Sequence, residues 1–225
     1  MNTKIDITNN GTTTLATAGK YCDRNINVNV TVSDIAGFVQ GTTEGEYVSD
    51  KVTSLRLGAF SGCGNLTKIS LPNCTEILGR YAFNECKNVT EINLPSLTSI
   101  SDGNYAFYGM TSLEEIKLPN LTTVGSFSAT FWNCTNAKRI EMPKLSGQAI
   151  TTYVFRYCYA LETLLLGGET LNTLSNTNAF MNAGRDAPNG LSIYVPDNLV
   201  NAYKGATNWA TYANQIKPMS ELPEE

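Results

Sequence analysis

The stretch that decides the fold is AFNECKNVTEINLPSLTSI at 82–100, because related segments recur along the chain at nearly constant spacing. The segment begins with an Ala-Phe pair, has a cysteine three residues after the phenylalanine, and continues into an Ile-x-Leu-Pro run. Each of the six units has its own anchoring phenylalanine, and these are Phe60, Phe83, Phe107, Phe131, Phe155 and Phe180. Their nearly fixed period of roughly 24 residues is typical of a repeat architecture.

Each unit contains two short segments with the apolar pattern of a β-strand. In the second unit Ile92 and Leu94 alternate with polar residues, as expected of a strand with one buried face, and Pro95 ends the strand because it has no N–H to donate. A second apolar step follows at Leu97 and Ile100. One unit is too small to bury a core by itself, so we expect the units to stack on one another.

The pattern AFxxCxxLTxIxLPxLTxI resembles the BspA-like leucine-rich repeat of bacterial and protist surface proteins, over roughly 51–195. The resemblance implies a right-handed, mainly β solenoid with parallel strands stacked on one face. It also implies a surface, adhesion or interaction role rather than a reaction. We therefore predict a leucine-rich-repeat solenoid of six repeats, with turns or helical turns around the Ala-Phe segments.

The two ends of the chain differ from the repeats, and we divide the chain accordingly. The segment VTSLRLG at 52–58 has the strand of a repeat without its phenylalanine, and LSIYVP at 191–196 is expected to be a last strand. Beyond it we expect a helix with Asp197 as N-cap, interrupted near Gly205 and resuming toward Ile216, and then a frayed tail. The predicted parts are a β-ribbon at 1–34, a linker at 35–50, the solenoid at 51–196, and a helical cap and tail at 197–225.

The segment 1–34 is expected to form a small β-ribbon that attaches the chain to something else. Apolar residues alternate with Asn and Thr from Ile26 to Val32, and Asn10-Gly11 is a turn signal. So short a segment cannot bury enough surface to fold alone, so it is predicted to dock on the solenoid, on a copy of itself or on virion proteins. The stretch 12–30 also resembles a short segment of tail and minor structural proteins of phages and prophages.

Composition and charge exclude several classes of function. The net charge is -4, without long runs of one sign, and the sequence has neither an apolar stretch of about 18 residues nor a histidine. We therefore expect no nucleic-acid partner, no membrane insertion, no metal, no cofactor and no catalytic residues. Glu91 and Glu115 are the one carboxylate pair that stacking would bring together, which leaves a carbohydrate-active enzyme as an alternative.

Two surfaces are candidate binding sites. The first is the outward side of the first strands, where positions eight and ten residues after each phenylalanine form two columns. Stacking predicts ion pairs between Lys68 and Glu91 and between Glu115 and Arg139. The candidate binding residues on these columns are Lys68, Glu91, Glu115, Lys117, Arg139 and Glu141; Ser70, Asn93, Thr163 and Leu165 lie on the same columns. Cross-strand pairing and solubility alone would also explain the charges.

The second candidate is an aromatic ridge beside the phenylalanine turns. Tyr108, Trp132, Tyr157 and Tyr159 stand where other units have Ser, Gly, Asn or Lys. Large aromatic residues are good contact sites for partners, although each ring would also serve to cover a neighbouring loop.

Four of the six cysteines follow an anchoring phenylalanine by three residues, at Cys63, Cys86, Cys134 and Cys158. Met110 and Ala183 occupy the same position in the other two units, so we predict a column of reduced, buried thiols. The exposure of Cys22 and Cys74 is left open.

These patterns lead us to expect a non-enzymatic structural or recognition component of a phage or prophage-derived particle, located on the virion. Its solenoid surface would bind a protein or a glycan. A bacterial cell-surface or secreted BspA-like adhesin is the alternative, and the lack of a recognisable signal peptide favours the particle.

Overall fold

The computed structural model describes residues 45–223 and the backbone of Thr14 and Leu15. In this part of the chain the strands, in sequence order, are β1 Thr14–Leu15, β2 Glu46–Val48, β3 Ser54–Leu55, β4 Lys68–Ser70, β5 Glu76–Ile77, β6 Glu91–Asn93, β7 Ser99–Ile100, β8 Glu115–Lys117, β9 Thr123–Val124, β10 Arg139–Met142, β11 Ala149–Ile150, β12 Thr163–Leu166, β13 Thr173–Leu174, β14 Ser192–Val195 and β15 Ile216–Pro218. The single α-helix among the described residues is α1, Val200–Gly205, and 3-10 turns span Thr177–Phe180, Asp197–Leu199, Trp209–Tyr212 and Met219–Glu221.

All of these strands pair in parallel with the equivalent strand of a neighbouring unit, which confirms the predicted solenoid. The first strands form one side of the coil, in the orders β2-β4-β6 and β8-β10-β12-β14-β15. The second strands form another side, in the orders β1-β3-β5-β7-β9 and β11-β13. The register places equivalent apolar residues on top of one another, for example Ile116, Ile140 and Leu164.

The anchoring phenylalanines fill the third side of the coil. Their rings are fully or almost fully buried, and neighbouring ring centroids lie 5.0–5.7 Å apart in stacked geometry. The turns that carry them are also joined by backbone hydrogen bonds; Phe83 N, for example, donates to Ala106 O at 2.7 Å. The phenylalanine column therefore holds the units together at the turns as the strands do on the other two sides.

The first-strand side is interrupted between β6 and β8, which belong to different sheets. Ile92 was predicted to be buried like its counterparts in other units, but it is only half-buried. The reason is local, because no strand pairs with β6 on its β8 side within the described residues. The neighbouring Leu94, at 1% exposure, is buried as predicted.

The second-strand side is interrupted between β9 and β11, and here the sequence provides the cause. Leu145 and Ile150 are five residues apart, whereas the equivalent Leu121 and Val124 are three apart. The insertion moves the backbone of β11 out of register with β9. Val124 N therefore donates to a side-chain oxygen, Gln148 Oε1, at 3.1 Å instead of to a backbone carbonyl of the next unit.

The solenoid begins earlier than predicted. The segment 35–50 was expected to be a linker, yet its last part forms β2, which pairs with β4. The predicted cap at 52–58 contains β3, and β1 pairs with it in parallel, so Thr14 and Leu15 extend the second-strand side. The rest of the predicted ribbon at 1–34 lies outside the described residues.

The C-terminal cap differs from the predicted interrupted helix. Helix α1 is present, but Asp197 is not its N-cap; it lies in the preceding 3-10 turn and its Oδ1 accepts a hydrogen bond from Ser220 N at 3.1 Å. Ile216 starts β15, which pairs with β14 and closes the first-strand side. Part of the expected frayed tail is therefore ordered, because the 3-10 turn Met219–Glu221 is attached to Asp197.

Candidate functional site

The phenylalanine turns have left-handed backbone at two positions, one two residues before the phenylalanine in the first five units and one two residues after it in all six. A residue with a Cβ adopts this conformation at a cost of about 1–2 kcal/mol, so glycine is the ordinary choice. The positions before the phenylalanine are Gly58, Tyr81, Tyr105, Ala129 and Tyr153, and those after it are Gly62, Glu85, Gly109, Asn133, Tyr157 and Asn182. Tyrosines therefore occupy four costly positions, which points to a use for their side chains.

These tyrosines and three further aromatic residues form one continuous row along the turns. All of its members are half-buried, in contrast to the fully buried phenylalanines beside them. We call this row the aromatic strip; it consists of Tyr81, Tyr105, Tyr108, Trp132, Tyr153, Tyr157 and Tyr159.

Trp132 lies at the centre of the aromatic strip. Its ring centroid is 5.3 Å from that of Tyr108 and 6.0 Å from that of Tyr105, in the preceding unit. On the other side it is 5.6 Å from Tyr153 and 6.5 Å from Tyr157. The edge-to-face and tilted geometries are those that aromatic pairs prefer, so the rings support one another in fixed positions.

The two ends of the strip continue this pattern. Tyr81 stacks on Tyr105 at 5.3 Å, and Tyr157 stacks on Tyr159 at 5.5 Å. The guanidinium of Arg185 lies 4.1 Å from the centroid of Tyr159 and is paired with Asp186 at 2.8 Å. This ion pair raises the pKa of Arg185 and lowers that of Asp186.

Arg156 is a charged residue that lies among the rings of the aromatic strip. Its guanidinium carbon lies 4.5 Å from the ring centroid of Tyr157, 4.6 Å from that of Tyr153 and 5.4 Å from that of Trp132. Nη2 donates to Tyr157 Oη at 2.7 Å. Nε is buried and has no hydrogen-bond partner among the described residues. This guanidinium is therefore stabilised by cation–π contacts with three rings and not by an ion pair with a carboxylate of the described residues.

The structure brings together all four residues of the predicted aromatic ridge. Sequence analysis missed Tyr81, Tyr105, Tyr153 and Arg156. A signal for the tyrosines was present, because Tyr precedes the phenylalanine by two residues in YAF at 81–83, YAF at 105–107 and YVF at 153–155. No comparable signal marks Arg156, whose role depends on the rings around it.

The charged strand face carries ion pairs between and along the strands. One of the two predicted pairs is present: Lys68 Nζ lies 2.9 Å from Glu91 Oε1, and this contact raises the pKa of Lys68. Glu115 pairs with Lys117 on its own strand at 3.0 Å and is also in register with Arg139 on β10. Arg139 in turn donates to Glu141 at 2.6 Å. Opposite charges thus alternate over this face, as solubility and strand pairing require.

Two residues of the predicted outward columns are buried instead. Leu165 is 4% exposed because its cross-strand neighbours, Glu141 and Tyr194, cover it from both sides. Ser70 is 8% exposed because Asn93 lies over it and donates to its hydroxyl at 3.0 Å. The strand face is therefore less continuous as a binding surface than the two columns suggest.

Glu91 and Glu115 are not stacked as expected, because the ladder is interrupted between their strands. They line a small cleft of about 200 Å³ together with Ile92. Each carboxylate pairs with a lysine, Glu91 with Lys68 and Glu115 with Lys117. The arrangement lacks the unpaired acid that glycoside hydrolysis needs.

The cysteine column is buried, and its thiols join successive turns. Cys86, Cys134 and Cys158 are reduced thiols whose Sγ atoms lie 2.9–3.1 Å from the carbonyl oxygens of Phe60, Phe107 and Phe131. Burial raises the pKa of Cys134 to about 12 and that of Cys158 well above its ordinary value. At neutral pH Cys134 and Cys158 therefore carry little of the thiolate form that reacts.

Cys63 and Cys74 differ from this column. Cys63 is buried as predicted, but the prediction that it is reduced was wrong, because it is disulfide-bonded. Cys74 is buried where other units have leucine, as at Leu97 and Leu121, and burial raises its pKa to about 12.

The described residues contain no cluster of three or more cysteine or acidic side chains placed to hold a metal ion. Over the same part of the chain, no helix is long and apolar enough to cross a membrane.

Comparison with known proteins agrees with the repeat geometry. The BspA type leucine-rich repeat region matches in six copies over residues 53–185, which is more than half of the chain. No curated protein matches the chain. Leucine-rich-repeat solenoids are typically non-enzymatic scaffolds, and BspA-type repeats suggest an interaction or adhesin-type role. The chain belongs to the BspA-type leucine-rich-repeat family.

Proposed function

We propose that this chain is a non-enzymatic recognition protein that binds a protein or a cell-surface glycan through the aromatic strip. The main support for this proposal is the composition of the aromatic strip, which is that of a binding hot spot. Tyrosine, tryptophan and arginine are the residues that contribute most energy to interfaces. Stacked phenylalanines already fill the core of these turns, so half-buried rings on top of them add contact surface rather than core.

The cost of the strip supports the same conclusion. Tyr81, Tyr105, Tyr153 and Tyr157 have left-handed backbones at positions where other units have mainly glycine, alanine or asparagine. The repeat can therefore form without aromatic residues at these positions. Keeping tyrosine there at a conformational cost is typical of functional sites.

We further propose that the chain acts as part of a phage or prophage-derived particle, where the strip would contact a host surface. The similarity of the stretch 12–30 to a segment of phage tail proteins supports this location. A bacterial surface or secreted adhesin is the alternative, and membership in the BspA-type family favours it. Both proposals use the strip in the same way.

A carbohydrate-active enzyme receives the least support. The two carboxylates considered for it, Glu91 and Glu115, are each neutralised by a lysine. Both side chains are also 56% exposed, whereas burial is what ordinarily keeps a general acid protonated near neutral pH.

Binding of labelled full-length chain to a panel of intact bacterial cells, measured by flow cytometry, tests the recognition role. We expect Trp132→Ala to reduce binding to a recognised strain by at least about tenfold. Lys138→Ala is the matched control, because Lys138 is exposed beside the strand face and pairs with the exposed Glu114. A loss that is equal in both variants, or absent from Trp132→Ala, would remove the strip from the proposal.

The location is tested in the native host after prophage induction. Co-purification of the chain with phage particles supports the particle. Recovery from the cell envelope alone would favour the adhesin.

A further inference from the structure

We infer that the aromatic strip recognises a segment of a partner protein that carries a carboxylate, and that Arg156 is the counter-charge for it. This inference rests on the proposed binding role of the strip and adds the chemistry of the partner.

Arg156 is a partly buried cation that the described part of its own chain does not neutralise. Three other described arginines have acidic partners: Arg80 has Asp102, Arg139 has Glu141 and Arg185 has Asp186. No carboxylate of the described residues pairs with Arg156, and the acceptor for its five N–H donors there is Tyr157 Oη. Its buried Nε has no acceptor among these residues. Buried charges are ordinarily paired, so a carboxylate from outside the chain, on the Nη1 and Nη2 side of the guanidinium, would neutralise this charge.

The guanidinium is also fixed before any partner arrives. The rings of Tyr153 and Tyr157 lie 4.6 Å and 4.5 Å from its central carbon, and these cation–π contacts favour one position of the side chain, which lowers the entropy cost of binding. A carboxylate placed on the Nη1 and Nη2 edge would form two charge-assisted hydrogen bonds. The surrounding rings would shield these bonds from water, as residues around a hot spot do.

A protein segment fits this surface better than a sugar does. The strip combines Trp, Tyr and Arg, the residue types enriched at the centres of protein interfaces. It also continues over four successive turns, from Tyr81 to Tyr159. A row of rings with one central cation complements a segment that has an acidic residue among apolar or aromatic ones.

The test uses two peptide display libraries that differ only at the central position, which is Asp or Glu in one and Asn or Gln in the other. Both have apolar and aromatic flanks, and both are passed over immobilised full-length chain. We expect the acidic library to be retained at least about tenfold more than the amide library. Arg156→Gln should abolish this preference, and Arg156→Lys should restore it only in part because lysine lacks the planar fork. Thermal melting of each variant verifies that it folds.

Equal retention of the two libraries, retention of neither, or a preference that survives Arg156→Gln would overturn the inference. A second experiment measures binding of the chain to a glycan array with uronate- and sialate-bearing sugars. Binding to these glycans without binding to either peptide library would show that the carboxylate belongs to a sugar, and would overturn the inference that the partner is a protein. If Trp132→Ala abolishes cell binding while both libraries are retained equally, the proposed function stands and this inference fails.

Discussion

The phenol oxygen of Tyr203 accepts two hydrogen bonds from Asn172, from the backbone nitrogen at 2.9 Å and from Nδ2 at 3.1 Å. Trp209 Nε1 donates to Asn172 O at 2.7 Å, so two residues of the C-terminal cap bind the same asparagine. Asn172 also binds the preceding turn of the solenoid, because its Oδ1 accepts a hydrogen bond from Gln148 N and its Nδ2 donates to Leu145 O. All of Asn172 is buried. One asparagine thus joins the cap to the last turns of the solenoid.

We expect Tyr203→Phe to lower the free energy of unfolding by about 1–3 kcal/mol, because it removes the acceptor of a buried N–H without exposing that group to water. Chemical denaturation measures the change. Lys204→Ala is the matched control on the next residue of α1, which is exposed, and should change stability by less than about 0.5 kcal/mol. Similar values for the two variants would argue against the asparagine network as the attachment of the cap.

Leu94→Asp should cost at least about 3 kcal/mol and melt the neighbouring units, because it places a carboxylate without a partner in the core. Asn93→Asp provides the comparison one residue earlier, where the side chain is exposed and the amide that donates to the Ser70 hydroxyl is replaced by a carboxylate that can accept from it. Circular dichroism during heating distinguishes them. If Leu94→Asp melted like Asn93→Asp, the inward placement of Leu94 after β6 would be wrong.

Alkaline pH should destabilise the protein through its buried thiols. The pKa of Cys134 is about 12 in the folded chain, above the ordinary value of 9.0 expected after unfolding. Between these two values the folded chain holds a proton that the unfolded chain has lost, so the free energy of unfolding falls by about 1.4 kcal/mol per pH unit for this thiol. Below a pH of about 9 the contribution is fully present.

Cys134→Ala separates this effect from other alkaline titrations. The alanine variant should be less stable near neutral pH because it loses packing, but its stability should fall less steeply in alkaline solution than that of the wild type. Parallel pH dependences for the two proteins would show that Cys134 is not the titrating group.

Alkylation in denaturant without reductant should label four of the described cysteines: Cys74, Cys86, Cys134 and Cys158. Cys63 should remain unlabelled until a reductant is added, because it is disulfide-bonded. Peptide mass spectrometry gives the result for each position. Labelling of Cys63 before reduction would show that the whole cysteine column is reduced.

Much of the fold could be predicted because it is periodic. Columns such as those of Phe83, Cys86 and Leu94 recur from unit to unit at nearly constant spacing, and a periodic apolar column has few places to lie except a shared core. The interruption at β11 could also have been anticipated from the insertion between Leu145 and Ile150. The interruption beside Ile92 could not, because nothing in the sequence of that unit distinguishes it.

The candidate site was predicted only in part, for a different physical reason. Residues such as Tyr108 and Trp132 stood out because they replace small or polar residues. Tyr105 and Tyr153 share a recurring position two residues before the phenylalanine, but sequence does not reveal that this position is left-handed and therefore costly for tyrosine. Arg156 became a candidate only when three rings were found around its guanidinium. The burial of Leu165 could not be predicted either, because it depends on the length of its cross-strand neighbours, Glu141 and Tyr194.

Hydroxyl-radical footprinting of the chain, free and bound to a recognised cell surface, tests the central claim most directly. Oxidation of Trp132, Tyr105 and Tyr153 should fall on binding. Oxidation of Leu57 and Leu78, which are 49% and 38% exposed outside the strip, should stay the same. Unchanged oxidation of the strip together with protection at Leu57 and Leu78 would contradict the account, because the partner would then contact another side of the solenoid.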